Sequence, residues 1–572
     1  MSSTPRPGES YGSYQALIEN TLKRIEREDV IRRIWERDAT LWKEDEAHRK
    51  IISNSLGWLT VARLMLERVD EIEAFAVEVR EAGFQHVMLL GMGGSSLCPE
   101  VMRRTFGQQE NFPQLLVLDT TDPDTISALE TIVDLERTLF VVASKSGTTI
   151  EPLSFYKYFY DRVRSLKNER AGENFVAITD PGTLMEQMAT EAGFRRIFLN
   201  PSDIGGRYSA LSYFGMVPAG LMGLDVRELL KKAVAMMDAC AHAVPIAENP
   251  GAQLGAMMGA LALEGRDKLT LVLDESLASL GLWIEQLVAE STGKEGKGIV
   301  PVAGEPLAAP DVYGDDRVFV YVHLGEPDAE TGDNLRALEA AGHPLLQRPL
   351  SGTLDLCAEF FVWEFATAIA GALMAINPFD QPNVQESKDN TNKLLDEFKK
   401  TGALPEQQTI ATEGDMKVYG ASQERIDSAQ PLAAVIKEHL SRAGSGDYIA
   451  LLAYIEETEA HNELLQALRT RLRDKLKVAT TTGYGPRFLH STGQLHKGGA
   501  DNGIFIQLTS QDHTDLAIPG EPYTFSILKE AQALGDFSSL EQRDRRAIRV
   551  HLGSDEEAGL KRLLQIVSDE MK

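Results

Sequence analysis

The chain runs to 572 residues, too long for one core, and length alone points to three or four domains or subdomains. Its 43% hydrophobic and 25% charged residues are the balance of an ordinary soluble globular protein. A formal net charge of -27 argues against nucleic acid or anionic membrane as partners, and it obliges any anionic ligand to find a local cationic or amide-lined pocket. Cys98, Cys240 and Cys357 are widely separated and odd in number, so no disulfide framework is expected and a reducing cytoplasm fits. Residues 1–8 contain no apolar stretch suited to a signal peptide.

From about Tyr14 to Val69, Leu17, Ile18, Leu22, Ile25, Ile31, Ile34 and Trp35 recur at threes and fours, which predicts a helical segment over 1–69 with no chemical signature. A first α/β domain is expected over 70–225. Val87–Leu90 reads as a buried strand opening into Gly91-Met-Gly-Gly-Ser-Ser-Leu-Cys-Pro99, where glycines permit tight turning and close backbone approach. Strands follow at Leu115–Leu118, Thr138–Ala143, Phe175–Thr179 and Ile197–Leu199, with helical stretches between most of them, the rhythm of a parallel sheet covered on both faces.

The third of these strands ends in Ser144-Lys-Ser-Gly-Thr-Thr-Ile-Glu-Pro152. Hydroxyls, a lysine and a helix N-terminus suit a phosphate, although the same residues serve an ordinary N-cap. Two such loops at the strand ends of one sheet are where open α/β sheets bind ligands. Neither has the spacing of a Walker loop or of G-x-G-x-x-G. In Gly205-Gly-Arg-Tyr-Ser209, Arg207 either stabilises a developing oxyanion or forms a buried ion pair with Asp203 or another nearby acid.

A second α/β domain is expected over 226–425, with strands Leu269–Leu273, Val318–Val322 and one near Leu345–Leu350. Between the first two, Leu280, Trp283, Ile284, Leu287 and Val288 predict a helix that stops at Glu290-Ser-Thr-Gly-Lys-Glu-Gly-Lys-Gly298. A glutamate held by a helix on one side and approached by flexible backbone on the other suits a general base; an isolated motif of this kind is more often a helix end with solvated charges. The apolar stretch Leu354–Ile376 carries Asp355, Glu359 and Glu364, so it reads as a buried helix and not a membrane span. It leads to Asn377-Pro-Phe-Asp-Gln-Pro-Asn-Val-Gln-Glu-Ser-Lys388, whose lysine is either functional or a helix-surface residue.

Residues from about Thr401 to Ala421 are polar and weakly patterned. A C-terminal α/β domain over 426–572 then shows strands at Asp447–Tyr454, Leu476–Thr481 and Ile504–Leu508, a helix at Glu459–Arg473 and an amphipathic tail from Gly553 to Lys572. Its loop Phe488-Leu-His-Ser-Thr-Gly-Gln-Leu-His-Lys-Gly-Gly499 holds two histidines, but no acid or cysteine stands at ligand spacing, so no metal is expected. His490 could act as acid or base near neutral pH.

Together these motifs resemble the phosphoglucose isomerase family, built on paired sugar-isomerase (SIS) units. The likeness runs from about Met88 to Lys393, with a late segment around His490. It implies an α/β fold of two doubly wound parallel-sheet units, with an N-terminal helical segment and an additional C-terminal α/β piece. It implies reversible conversion of glucose 6-phosphate to fructose 6-phosphate, as in glycolysis and gluconeogenesis, with no cofactor or metal. By resemblance, phosphate binding falls to Gly94, Ser95, Ser144, Lys145, Ser146, Thr148 and Thr149. Enediolate stabilisation falls to Arg207 with Gly206, and proton transfer to Glu290, beside Gln286 and Gln381. Lys388 and His490 would open the ring, with His496 as the fallback. A homodimer is implied too.

In ordinary family members the histidine segment lies between the E-S-x-G-K and N-x-F-D-Q motifs; here it follows both. That order resembles the isomerase half of bifunctional transaldolase/phosphoglucose isomerase chains, yet no stretch is left over for a transaldolase barrel. The alternatives are an isomerase that also takes mannose 6-phosphate, and a non-catalytic SIS module that senses sugar phosphates.

Overall fold

The computed structural model describes residues 9–420 and 431–570. The reading of residues 1–8, the boundary expected at 425/426 and the last two residues of the tail lie outside them. A two-residue strand β1 (Glu9–Ser10) comes first, followed by helices between Gln15 and Glu81, as the apolar spacing predicts. Their buried side chains, Ile25, Ile34, Trp58 and Phe75 among them, join one apolar core that extends as far as Phe379. The first two α/β units are therefore welded through a shared interior.

The first unit carries β2 (His86–Leu90), β3 (Gln114–Leu118), β4 (Thr138–Ala143), β5 (Phe175–Thr179) and β6 (Arg196–Leu199). They form a parallel sheet in the order β3-β2-β4-β5-β6. The second unit carries β7 (Lys268–Leu273), β8 (Val300–Val302), β9 (Arg317–Leu324) and β10 (Leu345–Leu350). Its order is β1-β10-β9-β7-β8, parallel except where β1 caps the β10 edge. The short Val-Pro-Val strand β8 escapes periodicity, because three residues carry no alternation to read.

The apolar helix lies at Leu356–Leu373 and is buried from Leu356 to Gly371. Glu359 is satisfied by Trp363 Nε1 at 3.1 Å and by Arg348. Burial pushes the Glu364 carboxyl well above the carboxylate range, so it is held protonated.

In the third unit β11 (Thr409–Glu413) and β12 (Met416–Gly420) pair as a hairpin, where the sequence reads as unpatterned. The strands are short and half-exposed, and the hairpin joins the larger sheet through β16, far along the chain. β13 (Tyr448–Tyr454), β14 (Ala479–Tyr484), β15 (Gly503–Thr509) and β16 (Arg546–His551) complete the order β11-β12-β16-β15-β13-β14. The strand expected from Leu476 begins at Ala479 instead, because the preceding helix runs through Leu476 and ends on Lys477 in the left-handed conformation. Helix Phe525–Glu541, unrecognised in the sequence, packs along helix Pro382–Thr401.

Buried polar contacts fix the third unit against the second. Glu305 and Arg317, both fully buried, pair at 2.9 Å, and Glu305 accepts from the Thr480 amide at 3.1 Å and its hydroxyl at 2.9 Å. Arg469 donates to the Ala303 carbonyl at 2.9 Å. Removing one partner of such a pair costs roughly 3–5 kcal/mol.

Candidate active site

Glu290 lies inside helix Leu280–Thr292, in its last turn, and not just beyond the helix as its turn-forming neighbours suggest. It is 8% exposed and meets Arg207, 3% exposed, at 3.2 Å. The ion-pair alternative for Arg207 is thus realised, with Glu290 and not Asp203, which instead pairs with Arg37. Arg207 sits in the short turn Gly206–Tyr208 and every arm of its guanidinium is used. Nε donates to Ser291 Oγ at 2.8 Å, Nη1 to Gln381 Oε1 at 3.1 Å, and Nη2 to the carbonyls of Pro378 and Asp380 at 2.6 and 2.9 Å. The first unit therefore grips the turn that carries Gln381.

Lys294 grips the same turn from the other side, bonding the Asn377 carbonyl at 2.6 Å and Asp380 Oδ1 at 2.7 Å. Burial, with Arg207 beside it, brings the Lys294 ammonium down to about 7. Neither partner is legible in sequence, since a lysine four residues past the glutamate looks like a solvated charge.

Gln286, one helical turn before Glu290, donates to Glu290 Oε2 at 3.2 Å and to the His490 carbonyl at 2.6 Å. That second bond brings the late histidine segment to the helix that carries Glu290. His490 ends the short turn Arg487–His490, and its Nε2–H donates to Glu151 Oε1 at 2.9 Å. Glu151 stands in the first turn of helix Ile150–Lys167, fully enclosed. Burial alone would push its carboxyl up, but His490, and Lys388 further off, hold it below the usual range. An acid in a first helical turn is commonplace, so the sequence offers no signal for this role.

The glycines of the Gly91 loop serve the protein's own backbone. Gly93 has φ +53°, and a Cβ there would stand 2.8 Å from both Gln286 Nε2 and the His490 carbonyl; one on Gly94 would stand 2.0 Å from the Gly206 carbonyl. The close approach inferred from sequence is real, but its partners are the other site loops.

A cavity of about 510 Å³ opens beside this cluster, lined by Ser146, Thr148, Thr149, Gln381, Lys388 and His490, with Glu151 and Gln532 in its wall. Ser146 and Thr148 are exposed at the N-terminus of helix Ile150–Lys167. Ser144 is buried and braces the loop, donating to Thr149 Oγ1 at 3.1 Å and accepting from the Gly147 amide at 3.2 Å. Lys145 is turned to Asp180 and the Ser202 carbonyl and does not line the cavity. Ser95 and Gly94 lie on the neighbouring loop against Gly206. Lys388 is exposed on helix Pro382–Thr401. His496 is 2% exposed, packed against Tyr448, Phe488 and Phe505 in the third unit's interior.

The family model described as phosphoglucose isomerase matches residues 62–306, a span that includes Arg207 and Glu290 but ends before Lys388 and His490. A glucose-6-phosphate isomerase of Carboxydothermus hydrogenoformans is 32% identical over 402 residues, covering 59% of this chain and 85% of that protein. One from Rubrobacter xylanophilus is 30% identical over 398 residues, covering 59% of this chain and 88% of that one. The crystal structure of a glucose-6-phosphate isomerase from Chlamydia trachomatis superposes with a TM-score of 0.54 at 19% identity, over 67% of this chain and 86% of that one, and so shares the fold. With the SIS-type sheets, the matched segment and relatives covered over most of their length, the chain belongs to the phosphoglucose isomerase family.

Proposed function

We propose that the chain interconverts glucose 6-phosphate and fructose 6-phosphate, carried by the buried Arg207–Glu290 pair, which Gln381 links to a hydroxyl-lined cavity. The phosphate is anchored by Ser146, Thr148 and Thr149 with the free amides of the helix behind them, an anchor remote from the reacting carbons. Ser144 shapes that loop, and Gly94, Ser95 and Gly206 keep the neighbouring loops in contact. Lys145 contributes charge from its seat on Asp180.

Ring opening falls to His490 and Lys388, which move a proton from the anomeric hydroxyl to the ring oxygen. Because His490 commits Nε2–H to Glu151, Nδ1 is the nitrogen that takes up and releases the proton. Glu290 then removes the C2 proton of the open aldose and returns it to C1 through a cis-enediol(ate). Arg207 moves its charge from Glu290 to the enediolate oxygens as the carboxylate becomes protonated. Gln286 and Gln381 orient the carboxylate and the guanidinium. A homodimeric, cytoplasmic enzyme completes the proposal, with light scattering of the purified chain as the check on its assembly. A coupled assay for fructose 6-phosphate formation tests the activity, run beside mannose 6-phosphate. No turnover of glucose 6-phosphate by folded protein would overturn the proposal.

A further inference from the structure

The third unit supplies a second polar side chain to this centre. Gln532 lies midway along helix Phe525–Glu541 and is 2% exposed. Its Nε2 donates to Glu151 Oε1 at 2.7 Å, the same oxygen that accepts from His490, and its Oε1 accepts from the buried Thr121 hydroxyl at 2.7 Å. The Tyr454 hydroxyl reaches the Gln532 carbonyl at 3.5 Å, fixing the helix at that turn. The amide is therefore orientated without ambiguity: a carboxylate accepts but cannot donate, so the NH2 group faces Glu151. Thr121 holds the other end.

We infer that Gln532 is a positioning residue for ring opening, resting on the isomerase reading above: it fixes the rotamer of Glu151 and, through it, the ring of His490. Two donors on one carboxylate oxygen also divide its basicity. The amide hydrogen bond favours the ionised form of Glu151, so the shared proton stays on His490 and is not lost to the carboxyl. The groups facing Glu151 are then His490, Gln532, the buried Tyr454 and, across the cavity, Lys388. This arrangement explains why the late unit is bound against the first: it delivers the histidine and also the clamp on the histidine's partner.

Two variants test this. Gln532→Leu keeps the volume and removes the donor; we expect ring opening, read as anomer exchange of fructose 6-phosphate by NMR, to fall by about tenfold, with KM within about twofold. Gln532→Glu places a carboxyl against Glu151. Protonated, it donates as the amide does; ionised, it repels Glu151. Its activity should approach that of the wild type at low pH and fall as pH rises, while the wild type keeps its own profile. Wild-type anomer exchange in Gln532→Leu together with an unchanged pH profile in Gln532→Glu would overturn the inference. So would losses that track thermal unfolding of the variants at every pH, since these mark a purely structural residue. Inactive wild-type protein would instead overturn the isomerase reading itself, and this inference with it.

Discussion

Glu290 and Arg207 come from different α/β units and meet as a buried ion pair 3.2 Å apart, with the guanidinium also holding two carbonyls of the Pro378–Asp380 turn. Arg207 is over-determined by Ser291, Gln381 and those carbonyls, so it stays in place when its carboxylate partner changes state.

Glu290→Gln should therefore leave the fold intact and abolish the base. Turnover in the coupled assay is expected to fall by roughly 10²–10⁴-fold. Calorimetric binding of a sugar-phosphate inhibitor should change little. Turnover near that of the wild type would remove Glu290 from the reaction.

Arg207→Lys keeps the charge but cannot serve Ser291, Gln381 and two carbonyls at once. We expect kcat to drop about 10²–10³-fold, with a smaller change in KM, together with a lowered melting temperature from unpaired buried carbonyls. A rise in KM with kcat untouched would mark Arg207 as a uniform binding residue.

The loop ahead of helix Ile150–Lys167 divides into bracing and exposed hydroxyls, Ser144 among the first and Ser146 and Thr148 among the second. Ser146→Ala with Thr148→Ala should raise KM and weaken inhibition by inorganic phosphate without loss of stability. Ser144→Ala should lower stability as well. Equal phosphate affinity in the double variant would move the anchor elsewhere.

His490→Asn removes one of the two groups proposed to open the ring and should slow anomer exchange more than exchange of the C2 proton in open-chain substrate, with a lowered melting temperature because the enclosed Glu151 loses its main partner. His496→Asn should instead retain activity per folded molecule, while stability drops because a polar amide enters an aromatic cluster. Silence in both would return ring opening to Lys388 alone.

Two buried histidines make the third unit sensitive to acid. Burial lowers His439 to about 3 and puts His496 well below its ordinary value, so both are neutral in the folded state. The unfolded chain takes up these protons near pH 6.5, so their contribution is intact above that value and stability is lost as pH falls from 6.5 towards 3. Each histidine costs up to about 1.4 kcal/mol per pH unit in that window. Urea midpoints at pH 7.5 and 4.5 should diverge less for His439→Leu than for the wild type; equal divergence would refute the assignment.

Much of this is legible in sequence because it follows short-range rules. Strands β2, β4, β5 and β9 announce themselves as apolar runs bounded by turn formers, and the buried helix from Leu356 shows its acids against its length. The site is legible as motifs and not as contacts. Nothing near Glu151 says that a histidine over three hundred residues away will pair with it. Nothing in helix Phe525–Glu541 marks Gln532, since a glutamine among apolar neighbours looks like the polar edge of an ordinary helix. The hairpin β11–β12 is missed because its strands are short and polar and it is anchored to the sheet by β16, a tertiary partner far along the chain.

The late position of His490 and Gln532 sets a timetable for the nascent chain. Arg207, Glu290 and Lys388 leave the ribosome first; the first two sit on elements of one shared core, whereas the helix of Lys388 packs its Leu395 against the late helix Phe525–Glu541. His490 and its positioning partner Gln532 emerge later, Gln532 on the order of ten seconds after Lys388 at ordinary elongation speeds. During that interval the cleft lacks its wall from helix Phe525–Glu541, and arrested chains of increasing length would date the moment at which turnover begins.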